Sequence, residues 1–245
     1  YTENQFLVSA LTAKNGRVFI KTRCALKPNS RFIKCLQPGY LFKANVYLSR
    51  EHSNLTITDL ELLDGFAHLR NCANALAALA YLTNFLHLTL PERFKINNLF
   101  EKTIDYFKKN LLTSIVEINI FRFFVLTKLG YLPILDTCQI CNNSKFNELI
   151  FSNQINAIFF CRACFNNLLS QNFEIPESKI IVIAKNEIDI LNFCIKKFMA
   201  NDLSVNSEIE NISQKTLENF LQFYIMNIYN KLDTNYFTLK KIFLN

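Results

Sequence analysis

The sequence predicts an α+β fold in which a small β-barrel or sandwich leads into an all-helical body. Three observations predict it. Four strand-like runs fall between residues 5 and 63, and from His68 onward apolar residues recur with a helical period. Two CxxC pairs, Cys138-Gln139-Ile140-Cys141 and Cys161-Arg162-Ala163-Cys164, then interrupt the helical part.

Gln5 to Thr12 and Arg17 to Arg23 are the first two runs, joined at Lys14-Asn15-Gly16. Asn-Gly between apolar runs predicts a type I′ hairpin, which needs positive φ at both central residues. In the second run Val18 and Ile20 share one face, and Arg17, Phe19, Lys21 and Arg23 share the other. That face is either solvated sheet or a strip that attracts phosphates and offers Phe19 for base stacking. The polar stretch from Cys24 to Lys34 follows as a loop, and it brings Lys27, Arg31 and Lys34 to the end of the sheet that holds Lys21 and Arg23. Tyr40 to Leu48 and Leu55 to Leu63, linked through Glu51-His52-Ser53-Asn54, supply two more antiparallel strands.

Leu76, Leu79, Ala80, Leu82 and Leu86 form the apolar face of a helix that must stop before Pro91. A second helix starts near Asn97 or Asn98, both suitable N-caps, and carries Phe100, Ile104, Phe107 and Leu111 on one stripe. Ile115 to Leu129 is apolar nearly all round and is therefore central, with Gly130 placed to cap it. Beyond the cysteines a helix is expected over Phe165 to Leu169, another from about Glu187 to Met199, and a last one from Leu217 to Leu232.

The cysteine spacing carries the chemistry. Two residues between cysteines let one tight turn bring both sulfurs to a single tetrahedral ion, and nineteen residues between the pairs leave room for a returning hairpin. Leu149 to Phe151 and Ile158 to Phe160 would be its strands. Zinc held by Cys138, Cys141, Cys161 and Cys164 is the reading this spacing favours. A redox CxxC and a pair of disulfides are the alternatives. A closed four-sulfur shell leaves no position for water or substrate, so the ion would brace the fold rather than catalyse.

Composition excludes several classes. With four glycines in 245 residues, neither GxGxxG nor GxxxxGK[ST] can be drawn, and GxSxG and HExxH are absent. His52, His68 and His87 show no ligand or triad spacing and are expected to be surface or packing residues. The formal charge of +7 suits a polyanionic partner or plain solubility, since no run of five like charges occurs. Cys24, Cys35, Cys72 and Cys194 show no pairing pattern, which fits a reducing, cytoplasmic setting. The apolar stretch Cys72 to Leu90 is broken by Asn74, Thr83, Asn84 and His87 and is expected to be buried rather than membrane-spanning. Nothing in these patterns points to an enzyme.

Five places in the chain together resemble the bacterial RecO recombination-mediator family. They are Leu36-Gln37-Pro38; Glu61-Leu62-Leu63 through Phe66 to Leu69-Arg70; Leu129-Gly130-Tyr131 with Leu135-Asp136 before Cys138; Phe151-Ser152 before Cys161; and Tyr224 to Leu232 followed by Phe237 to Leu244. The resemblance implies an OB-fold over residues 1–66 and a helical domain over 67–245, with a zinc module embedded at 133–168. It implies no covalent chemistry. It implies binding of single- and double-stranded DNA, strand annealing, contact with RecR and with the C-terminal tail of the single-stranded-DNA-binding protein, and help in loading RecA. A cytoplasmic, nucleoid-associated setting goes with this, and no membrane. The DNA-binding part would be the hairpin and basic loop: Arg17, Phe19, Lys21, Arg23, Lys27, Arg31 and Lys34. The family's loop has further cations where this chain has Leu26 and Asn29, which predicts DNA affinity that is weaker or shifted to other lysines. Tyr1-Thr2-Glu3-Asn4 lines up with the turn after the family's first barrel strand, so that strand is expected to be missing. The family's glycine after the second cysteine is replaced by Asn142, a residue that tolerates the left-handed conformation needed there. A zinc-stabilised interaction adaptor that does not itself bind DNA is the competing reading, and a thiol-redox enzyme comes last.

Overall fold

The computed structural model describes residues 5–23, 32, 34–48, 55–132, 135–152, 158–171, 180–200, 218 and 221. The chain divides into two compact units, residues 1–118 with 235–245, and residues 119–234. The last predicted helix, 217–232, lies outside the described residues apart from Glu218 and Leu221, both helical and buried.

The first unit opens with a four-stranded sheet, β1 (Gln5–Thr12), β2 (Gly16–Arg23), β3 (Leu41–Leu48) and β4 (Leu55–Asp64), in the order β1-β2-β4-β3. Val18 and Ile20 of β2 and Ile57 of β4 form its buried face, as alternation requires. The sheet departs from expectation in two ways. It is not wholly antiparallel, because β2 and β4 pair in parallel, and the described strands form an open sheet rather than a closed barrel. The hairpin is also not a two-residue type I′ turn. Ala13, Lys14 and Asn15 form the loop, and of the Asn-Gly pair only Gly16 has positive φ. The Thr12 hydroxyl donates to the Gly16 carbonyl at 2.9 Å and accepts the Asn15 N–H at 3.1 Å, which holds this longer turn. A Cβ at Gly16 would collide with the Phe94 carbonyl, so glycine is required for space as well as for φ.

Among the described residues, this unit also holds the helices α1 (Ala67–Arg70), α2 (Ala73–Thr89) and α3 (Leu99–Lys109). α2 stops before Pro91 as expected and buries Leu79, Leu82 and Leu86. Asn98 does stand at the N-cap of α3, but in the left-handed region and without a side-chain cap bond. Arg70 ties the unit together. Its Nε donates to the Gly65 carbonyl at 2.6 Å, one terminal nitrogen donates to the Pro38 carbonyl at 2.7 Å, and its head lies 4.0 Å from the centre of the Tyr40 ring.

The second unit takes most of α4 (Ile115–Lys128), whose residues 118–127 are all buried. Gly130 caps α4 at φ 72°, with Gly130 N–H donating to Thr127 and Tyr131 N–H to Leu126. A three-stranded antiparallel sheet follows in the order β6-β5-β7, from β5 (Glu148–Ser152), β6 (Ile158–Cys161) and β7 (Ile180–Ala184). β7 is an addition to the strands the sequence pattern predicts. Helices α5 (Arg162–Ser170) and α6 (Lys185–Met199) also belong to this unit. Among the described residues, no helix is long and apolar enough to cross a membrane.

Candidate metal centre and nucleic-acid strip

The metal centre lies in the second unit and is built by three local devices. First, Cys138 to Cys141 form a knuckle: Asn142 N–H donates to the Cys138 carbonyl at 2.8 Å, and Cys138 N–H donates to the Asn143 carbonyl at 2.9 Å. Closing that turn puts Asn142 at φ 55°, the conformation its short polar side chain tolerates. Second, Gln139 locks the knuckle to β6. Its N–H donates to the Phe159 carbonyl at 2.9 Å, and its side-chain oxygen accepts the Phe159 N–H at 3.0 Å. Third, β6 ends on Cys161, the N-cap of α5, so Cys161 and Cys164 sit on the first turn of a nine-residue helix whose N-terminal end favours negative charge.

The four sulfurs converge. All four Sγ atoms lie within 4.8 Å of one another, and those of Cys141 and Cys161 are 3.8 Å apart. A tetrahedral ion with Zn–S bonds of roughly 2.3 Å separates its sulfurs by about 3.8 Å. A disulfide would need about 2.05 Å, and all four cysteines are free thiols. Burial opposes the charged form of Cys138, but N–H groups of Cys141, Cys161 and Ile140 aimed at its sulfur outweigh that and bring the thiol down to about 6. Burial, and then the neighbouring sulfurs of Cys141, Cys161 and Cys138, push the Cys164 thiol up. One thiolate therefore forms readily and the last forms against the charge of the others. A bound cation resolves that conflict, so the donor set fits a soft divalent metal. Cys138, Cys161 and Cys164 pack with Ile150, Phe160 and Phe165 in one cluster, and the Phe160 and Phe165 rings are stacked at 5.7 Å.

In the first unit the cationic face of β2 is only partly free. Arg17 Nε donates to the Leu90 carbonyl at the end of α2 at 2.7 Å, and its guanidinium lies 4.7 Å from the centre of the Phe19 ring. Phe19 in turn meets the edge of His87 at 5.9 Å, and His87 Nδ1 is 2.9 Å from the Ser9 hydroxyl. Arg17 and Phe19 are thus brought together, but packed against α2. Lys21 is half-buried and Lys34 exposed. Arg23 ends β2 opposite Gln5, while Lys27 and Arg31 lie outside the described residues. Sequence alternation finds the shared face of β2, yet no local signal announces the carbonyl of Leu90.

Residues 70–233, more than half of the chain, match the family model described as recombination protein O C terminal. The chain is 25% identical over 225 residues to the DNA repair protein RecO of Syntrophomonas wolfei, covering 91% of this chain and 84% of that one. It is 20% identical over 236 residues to the DNA repair protein RecO of Acetivibrio thermocellus, covering 93% and 88%. A third relative, the DNA repair protein RecO of Thermodesulfovibrio yellowstonii, is 24% identical over 243 residues, covering 94% and 90%.

Proposed function

The chain belongs to the RecO family, and from that membership we propose that it is a DNA-repair mediator rather than an enzyme. It binds and anneals single strands and assists RecA loading with RecR and the tail of the single-stranded-DNA-binding protein. The observation that carries the reading is the family match over residues 70–233, which encloses both CxxC pairs. In this account Cys138, Cys141, Cys161 and Cys164 hold one structural zinc ion, and residues 1–66 form an OB-fold that carries the DNA contacts. The strand order β1-β2-β4-β3 with a parallel β2–β4 pair supports the OB-fold, because it is the order of a five-stranded Greek-key barrel with one strand left out between β1 and β3.

Phosphate contacts fall to Lys21, Arg23 and Lys34 together with Lys27 and Arg31, while Arg17 and Phe19 support the strip from the α2 side. Binding of this kind works by counterion release, so affinity falls steeply with salt. Fluorescence anisotropy with a single-stranded oligonucleotide, titrated at several salt concentrations, tests it. One observation favours the adaptor reading: the Arg17 head and the Phe19 ring are already engaged inside the protein. On that reading Lys27 and Arg31 can be neutralised without loss, and capture of an acidic partner peptide survives.

A further inference from the structure

The loop between α2 and α3 is pinned to the start of β2 at three points. Arg93 N–H donates to the Arg17 carbonyl at 2.7 Å, beside a parallel β-bridge between Arg17 and Glu92. Arg17 Nε donates to the Leu90 carbonyl, also at 2.7 Å. The Phe94 carbonyl rests against Gly16, where no Cβ would fit. These contacts hold the backbone of residues 90–94, so the side chains that follow are presented from a fixed base.

What the loop presents is an aromatic ring between cations. Phe94 is 56% exposed, and its neighbours Arg93 and Lys95 are exposed as well. Lys14, also exposed, stands two positions before Gly16, a reach of at most about 7 Å along the chain. Arg93 pairs with Glu92 at 3.6 Å. Among the described residues, Lys14 and Lys95 have no acidic partner and Phe94 meets no other ring. A phenylalanine whose task is packing would be buried, and this one is not. Arg93 has φ 56°, a left-handed backbone that is uncommon in a residue with a Cβ. Such a conformation persists only where surrounding contacts impose it, and it recurs at ligand-binding sites.

We infer, resting on the proposed DNA binding, that Phe94 is a stacking platform for a base of single-stranded DNA, with Lys95 and Lys14 contacting the flanking phosphates. An exposed ring offers a face that any base can cover, and the cations beside it track the backbone. An acidic peptide would answer the lysines but bring no base to cover the ring. The internal engagement of Arg17 and Phe19 acquires a purpose, because Arg17 holds the loop that carries Phe94. The loop lies at the opposite end of β2 from Arg23, seven positions and about 23 Å away. A bound strand thus runs along β2 from one cationic end to the other.

The chain contains no tryptophan, so Phe94→Trp places a single indole at the site. Its emission and the anisotropy of an oligothymidine are followed together on the full chain. Leu111→Trp, at a position 62% exposed in the same unit, is the control. The expected result is quenching of the Phe94→Trp emission by about half on binding, reversed by salt, with the Leu111→Trp emission unchanged. Phe94→Ala should weaken binding roughly tenfold at unaltered Tm, and Phe94→Tyr should retain most of it. K14E/K95E should make the log–log salt slope shallower by roughly two. If the parent binds but the Phe94→Trp emission is constant or matched by the control, the inference is overturned and DNA binding stands. Parent affinity in Phe94→Ala, or an unchanged slope in K14E/K95E, has the same consequence. No binding by the parent at the lowest salt overturns both. Polyglutamate that quenches Phe94→Trp as strongly as the oligothymidine overturns the inference and assigns the loop to an acidic protein segment.

Discussion

The sulfurs of Cys141 and Cys161 lie 3.8 Å apart although twenty positions separate the two residues in the chain. Three hydrogen-bonded devices produce that approach: the Cys138 knuckle, the Gln139 clamp on Phe159, and the start of α5 at Cys161. The donor set is complete in the fold itself. Purified protein is expected to carry one equivalent of zinc by elemental analysis. The double substitution C141S/C164S is expected to lose it and to destabilise the second unit by more than about 2 kcal/mol, because metal affinity and folding are linked. Full metal content in the double variant would contradict the assignment.

Arg70 links two stretches on which the family resemblance rests, reaching from α1 to the carbonyls of Gly65 and Pro38. Arg70→Ala is expected to cost about 1–2 kcal/mol in urea unfolding, through two charged hydrogen bonds and the stacking on Tyr40. Arg70→Lys should recover less than half of it, since an ammonium cannot span both carbonyls in the guanidinium's planar geometry.

Asn192 does the equivalent work in the second unit. Its side-chain oxygen accepts the buried Leu135 N–H at 2.8 Å, and its amide donates to Asp136 at 2.9 Å. Asn192→Ala leaves a buried N–H unpaired and is expected to cost about 2 kcal/mol. Asn192→Asp keeps an acceptor for Leu135 but opposes Asp136, so its deficit should shrink as pH falls into the carboxylate range, while that of the alanine variant should not.

His87 supplies a pH dependence. Burial first, and then the charge of Arg17, hold its imidazole below the ordinary value of 6.5. The unfolded chain therefore binds the proton more readily than the folded one. This contribution to stability is fully present above about pH 6.5 and is lost as pH falls from there towards the folded-state pKa. Urea unfolding from pH 5 to 8 should show this slope, and His87→Gln should flatten it. An unchanged slope in the variant would place its origin elsewhere.

What could be read from the sequence follows the range of each interaction. CxxC is local, so the four converging cysteines and the left-handed Asn142 are legible in the sequence. Helices α2, α3, α4 and α6 were legible because 3.6-residue periodicity is also local. Pairing is not. Nothing in the alternation of β2 or β4 says that they run in parallel, and Arg17 finds its acceptor 73 positions away at Leu90. β7 does carry a local signal, since Ile180-Ile181-Val182-Ile183 is an apolar, β-branched run of strand length. The hairpin lies where Asn-Gly predicts it, but Thr12 stabilises a longer turn than Asn-Gly alone suggests.

The central claim is that the chain grips nucleic acid through its cationic front end, and one measurement tests it most directly. Binding of a single-stranded oligonucleotide is followed by anisotropy between 50 and 200 mM salt, for the parent chain and for K27E/R31E. The account predicts an affinity that drops steeply across that range, with a log–log slope shallower by roughly one for each phosphate contact removed. Binding that ignores salt, absence of binding at the lowest salt, or an unchanged slope in the double variant would contradict it.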